Sequence, residues 1–156
     1  GLNENMKVLD VGCGIGGSSR TLVSNFGCNV TGIDLCEEFC RAAELINERL
    51  GYSNNIEIQQ GDALDMPFND NSYDIIFIQH VLMNIENKER LISEIFRLLR
   101  PKGSNLFFAI DTFGSYPSVT QVCFGNGASV AKTSPPPVPI SSSDSDVLIN
   151  GNTLLE

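Results

Sequence analysis

The segment Val8-Leu-Asp-Val-Gly-Cys-Gly-Ile-Gly-Gly17 constrains this chain more than any other. A short apolar run, Lys7–Val11, is closed by glycines, and residues 18–26 then repeat Leu22, Val23 and Phe26 at helical spacing. The pattern predicts strand, turn, helix. Glycines let the backbone turn tightly and approach a ligand without Cβ collisions, while the N-terminus of the following helix presents N–H groups. A nucleotide-like ligand fits that arrangement. Gly12, Gly14 and Gly17 also satisfy G-x-G-x-x-G, which keeps a dinucleotide site open as one reading.

The strand-and-helix alternation continues. Asn29–Asp34 reads as a second strand, and Glu37–Leu50 as a helix with acids in its first turn and Gly51 at its end. Ile56–Gln60, residues 73–79 (YDIIFIQ) and residues 105–110 (NLFFAI) supply three further strands. Residues 88–100 form a helix with Leu91, Ile92, Ile95, Leu98 and Leu99 on one face, stopped by Pro101 and Gly103. Strands this apolar, alternating with helices, predict an α/β fold: a Rossmann-like, doubly wound, mostly parallel sheet with helices on both faces. Residues 1–111 form this domain.

From 112 to 156 the texture changes. Five of the chain's seven prolines, a serine run at 141–143 and the lack of a helical period predict a largely irregular tail or an atypical completion of the sheet. Ser118–Phe124 and residues 146–149 are its two candidate strands. An irregular tail leaves the fifth strand with an open edge.

Ten basic and nineteen acidic residues give a net charge of -9, a field that repels nucleic acid backbones, so no nucleic acid partner is expected. The five cysteines include no C-x-x-C pair, which predicts reduced thiols and no metal site. No apolar run is long enough to span a bilayer, and the opening GLNENMK is no secretory signal, so a cytoplasmic protein is expected. The start at Gly1 reads as a piece of a longer protein or the scar of a tag.

Asp34 falls at the end of the second strand, about 20 residues after the loop, where a carboxylate accepts hydrogen bonds from both hydroxyls of a ribose. Asp10 lies inside the first strand, facing the loop. A carboxylate there suits a ligand ammonium and repels a pyrophosphate, which separates S-adenosylmethionine from NAD.

With these residues in view, the chain resembles the class I S-adenosylmethionine-dependent methyltransferases. The resemblance covers residues 6–111 and rests on ordered motifs: VLDVGCGIGG, GID at 32–34, GDALDMPF at 61–68, SYDIIFIQHVL at 72–82 and LLRPKG at 98–103. It implies that Gly12, Cys13, Gly14 and Gly16 belong to the loop against the methionine part. Asp34 becomes the ribose acid and Leu35 a surface for one face of the adenine. Asp62 and Ala63 become the pair that reads the adenine edge, and Gln79 lines the methionine part. The detail GGSSR at 16–20 is similar to the small-molecule branch, whose members act on quinones, tocopherol precursors, sterols and amines. The family usually carries helices before the first strand and a helix with two strands after the fifth. Six residues precede Lys7, and 112–156 does not resemble that ending.

The implied reaction is an in-line displacement at the sulfonium methyl by a nucleophile of a small-molecule acceptor. Alignment is the protein's main contribution. His80, the only histidine, follows the fourth strand and is the candidate base; Met83 and Asn84 are candidate acceptor contacts. Two other functions compete with this one: an NAD-dependent oxidoreductase, and a cofactor-binding module without activity.

Overall fold

In the computed structural model, β1 (Lys7–Val11) is buried at every position after Lys7, and its neighbours explain why. It pairs in parallel with β2 (Asn29–Asp34) on one side and with β4 (Ile75–Gln79) on the other. The structure describes residues 2–101 and, as backbone, the strands β5 (Ser104–Ile110), β6 (Ser118–Phe124) and β7 (Val130–Lys132). With β3 (Ile56–Gln60) on the outer side of β2, the sheet order is β3-β2-β1-β4-β5-β6-β7. The first five strands are parallel, and β6 and β7 run antiparallel.

The period-two alternation along the strands sorts the core into two layers. Val8, Val30, Ile56 and Ile75 pack with Leu22 and Val23 of α1 (Gly17–Phe26). Leu9, Val11, Ile33, Ile76 and Ile78 pack with Leu91, Ile95 and Leu98 of α3 (Lys88–Leu98) on the opposite face. The helix α2 (Glu37–Leu50) has Glu37 and Glu38 in its first turn, where they complement the helix dipole, and ends at Gly51 in the left-handed region. Among the described residues no helix is long and apolar enough to cross a membrane.

The doubly wound sheet expected from the sequence is therefore formed, with three shifts. Helix α3 ends at Leu98 rather than 100, because Leu99 is already extended and bridges Tyr73, and Pro101 disfavours helix at Arg100. The fourth strand starts at Ile75, since Asp74 is engaged with the backbone N–H of Lys7 at 2.9 Å and with Arg100 at 2.6 Å. After 111, where an irregular tail or an atypical completion of the sheet was expected, β6 and β7 are added to the sheet. Ser118–Phe124 pairs with the whole of β5, so that edge is not open, and β7 was not anticipated. The candidate strand at 146–149 lies outside the described residues.

Between β3 and β4 the chain returns to the sheet without a helix, and α3 holds this crossover by ionic and backbone contacts. The buried Glu94 carboxylate accepts the N–H of Met66 at 3.0 Å, and both its oxygens take guanidinium donors of Arg97, at 3.0 and 2.6 Å. Arg97 also donates to the carbonyls of Phe68 (2.7 Å) and Met66 (2.9 Å) and to Asp70 (2.8 Å). Arg90 Nε donates to the Leu64 carbonyl at 2.8 Å. Arg97→Ala leaves Glu94 buried with only Arg90 nearby, 3.4 Å away. It is expected to cost about 2–3 kcal/mol in urea unfolding, less than for a fully buried pair because Arg97 is partly exposed. Hydrogen bonds from Arg97 hold the Glu94 carboxyl below its ordinary value of 4.5. The folded chain then binds that proton less readily than the unfolded one, so this stability is present above pH 4.5 and is lost as the pH falls through the lowered value. Glu94→Gln should flatten the acid limb of a stability-versus-pH curve in that window.

Candidate functional site

The strand register brings the candidate residues to one edge of the sheet. Val11 pairs with Ile33 and with Ile78, so Gly12, Asp34 and Gln79 come next on three adjacent parallel strands. Asp34 pairs with Gln60, which puts Gly61 and Asp62 immediately beyond β3. The chain winds outward from β1 to β3 and then returns to β4, so the strand order switches between β1 and β4. Open parallel sheets take ligands at such a switch, outside the carboxyl ends of the strands.

The glycine loop is closed onto β2. The N–H groups of Gly12 and Cys13 both donate to the Ile33 carbonyl, at 2.8 and 3.1 Å, and Gly16 donates to Cys13 at 2.9 Å. Gly14 N–H donates to Asp34 Oδ2 at 2.8 Å, while Asp34 Oδ1 accepts from Cys36 N–H at 2.9 Å. The N–H groups at these four loop positions are therefore used within the protein. A pyrophosphate needs such donors; a ligand that carries its own donors does not. Asp34 spends two of the roughly four acceptor positions of a carboxylate on the backbone, which leaves room for two hydroxyl donors.

Gly12 and Gly14 are glycines for different reasons. Both have positive φ, 71° and 53°. A Cβ on Gly14 meets nothing within 4 Å, whereas one on Gly12 overlaps Cγ2 of Val81. Gly16 is the N-cap of α1, also left-handed. Asp10 lies buried under the loop, and its Oδ2 accepts from both Ser18 and Ser19 hydroxyls at 2.6 Å. Burial pushes its carboxyl up, against the opposing effect of the two serines. Asp10 thus anchors the first turn of α1 to β1. Burial, reinforced by Asp10 and Asp34, also pushes the Cys13 thiol well up, so it stays neutral. Cys13, Cys28, Cys36 and Cys40 are all free thiols.

The remaining predicted residues surround the same edge. Leu35 is 68% exposed beside Asp34, an uncovered apolar surface. Asp62 is exposed, and its Oδ1 accepts from Leu64 N–H at 2.8 Å, which turns the crossover and presses Ala63 against the core. Gln79 is half-buried at the end of β4. His80 is exposed and left-handed, φ 59°, one of two such non-glycine residues among those described. Met83 is exposed in the short 3-10 turn Leu82–Asn84, three residues past His80.

Sequence reasoning missed Val81, Arg90, Glu94 and Arg97. For Glu94 a signal existed: it shares the apolar face of α3 with Leu91, Ile95 and Leu98, and an acid in such a stripe needs a buried partner. A concavity of about 1420 Å³ lies elsewhere. It follows the outer strand β3, past Glu44 and Glu48 of α2 and Phe68 and Tyr73 of the crossover, and includes none of the candidate residues. The chemistry favours the switch point over that open groove of mixed charge.

Fold and site together define a domain built to hold a nucleoside-containing ligand. The chain belongs to the methyltransferase domain family, which it matches over residues 9–107. It is 40% identical over 103 residues to a sterol 24-C-methyltransferase of Gibberella zeae, covering 66% of this chain and 27% of that protein. Among solved structures it is similar to Haemonchus contortus phosphoethanolamine N-methyltransferase 2 in complex with S-adenosyl-L-methionine. That likeness has a TM-score of 0.66 and 28% identity, over 70% of this chain and 25% of the other. The [4+2]-cyclase SpnF is as close in fold, with a TM-score of 0.67 and 27% identity, over 70% of this chain and 40% of the other. The chain therefore spans well under half of the length of these relatives.

Asp34→Ala leaves the N–H groups of Gly14 and Cys36 without their acceptor and is expected to lower stability by about 1–3 kcal/mol in urea unfolding. In Gly14→Val the added Cβ meets nothing within 4 Å. It should fold, at a cost of about 1–2 kcal/mol for a branched residue in the left-handed region.

Proposed function

We propose that this chain is the cofactor-binding domain of an S-adenosylmethionine-dependent methyltransferase acting on a small-molecule acceptor. One observation carries the reading: the loop spends its N–H groups on β2 while the acids Asp34 and Asp62 stand at the strand ends. A site with acceptors in place of donors suits a ligand that brings hydroxyls, an amino group and a positive charge, and it repels a pyrophosphate. The NAD-dependent reading loses its support on the same ground, and the family match does not favour it.

S-adenosylmethionine, when bound, supplies an already activated methyl group on a sulfonium. The protein's task is then alignment. Asp34 accepts the ribose hydroxyls, Leu35 offers a flat apolar surface to the adenine, and Asp62 with Ala63 reads the adenine edge. Gly12, Cys13, Gly14 and Gly16 border the methionine part opposite Gln79, and Asp10 holds α1 beneath them. Holding nucleophile and methyl in line contributes on the order of 7–11 kcal/mol, so a dedicated base is optional. His80, exposed at the same edge, would take a proton from an acceptor near Met83 and Asn84. The relatives' names point to sterols and phosphorylated amino alcohols as acceptor classes to try first.

A domain that holds the cofactor without transferring its methyl is the second reading, favoured by the likeness to a [4+2]-cyclase. Calorimetric titration with S-adenosylhomocysteine and with NADH, followed by a methyl-transfer assay on sterol and amine panels, separates all three. The proposed function requires binding of the first ligand at least about tenfold tighter than the second. Tight binding without product supports the inert module, and preference for NADH overturns the reading. Asp34→Ala should weaken S-adenosylhomocysteine by about 1.5–3 kcal/mol, the range for hydrogen bonds to a charged acceptor.

A further inference from the structure

The contact between Gly12 and Val81 joins two loops that the sequence keeps about 70 residues apart. Cγ2 of Val81 occupies the space that a side chain on Gly12 would fill, and Cβ and Cγ1 of Val81 are only 3.0 and 3.1 Å from that position. Val81 is half-buried and packs against the core layer formed with α3. The chain reaches it through a left-handed residue, His80, immediately after β4 ends at Gln79. On its other side the Val81 carbonyl accepts from Asn84 N–H at 2.9 Å, which starts the 3-10 turn. A left-handed non-glycine residue costs about 1–3 kcal/mol and persists only where the surroundings enforce it; histidine is among the residues that tolerate it best.

We propose that Val81 is a positioning residue for the glycine loop, delivered by the left-handed turn at His80 and acting on the cofactor through Gly12. It fills the space behind Gly12, so the loop keeps one shape where the methionine part is bound. The glycine at 12 is then required by Val81 as well as by the turn, unlike Gly14, which faces open space. This role belongs to the backbone at His80 and is separate from any proton transfer by its ring. The inference rests on the cofactor reading above.

The test is the dissociation constant of S-adenosylhomocysteine, measured at a temperature where circular dichroism shows each variant folded. Val81→Ala should weaken binding roughly fivefold to tenfold, the scale of losing a small packed side chain, while Val81→Ile, which keeps the β-branch, stays within about twofold. Gly12→Ala should be far worse in the native background than in the Val81→Ala background, with a coupling of at least about tenfold. Where Gly12→Ala alone fails to fold, recovery of folding in the double variant supports the proposal and lack of recovery overturns it. His80→Asn, which tolerates the left-handed region, should keep cofactor affinity, whereas His80→Val should weaken it several-fold. An unchanged dissociation constant in Val81→Ala, or additive Gly12 and Val81 effects, overturns the proposal while the cofactor reading stands. Failure of the native protein to bind S-adenosylhomocysteine overturns both.

Discussion

The end of β2 is where the site is made. One carbonyl, Ile33, takes two loop N–H groups, and one carboxylate, Asp34, takes a third while also holding the start of α2 at Cys36. Three glycine-loop residues and the second helix are thereby tied to a strand that the sheet already fixes. The loop is rigid before any ligand arrives, and Asp34 is oriented by the backbone rather than by solvent. Binding to a preorganised site avoids the entropy of ordering it, one of the costs of binding.

The same loop shows how far a sequence can be read. The parallel order and both core layers follow from runs such as VLDV and IIFIQ, because near-continuous apolar strands must be covered by helices on both faces. The glycines were legible as a turn, but not the destination of their N–H groups. A hydrogen-bond acceptor 20 residues downstream leaves no local trace. Asp10 illustrates the converse: its place in the strand was visible, while Ser18 and Ser19, which engage it, were read only within the motif GGSSR.

Beyond Asp111 the prolines and serines suggested irregularity, yet β6 lies along the full length of β5. Local propensity is a weak guide where a neighbouring strand offers a complete set of backbone partners. The crossover before β4 was opaque for another reason. Its order comes from the side chains of Arg90, Glu94 and Arg97, contributed by a helix that follows it in the chain, and no period in 61–74 could reveal them.

The turn at His80 and Val81 also sets a boundary. Val81 reaches the glycine loop at Gly12, and the segment from Leu82 to α3 begins just beyond it. That segment is free to lengthen, shorten or change character without rewriting the loop. On the proposed function, one cofactor platform is then combined with different acceptor walls, and drift in one part need not be matched by drift in the other.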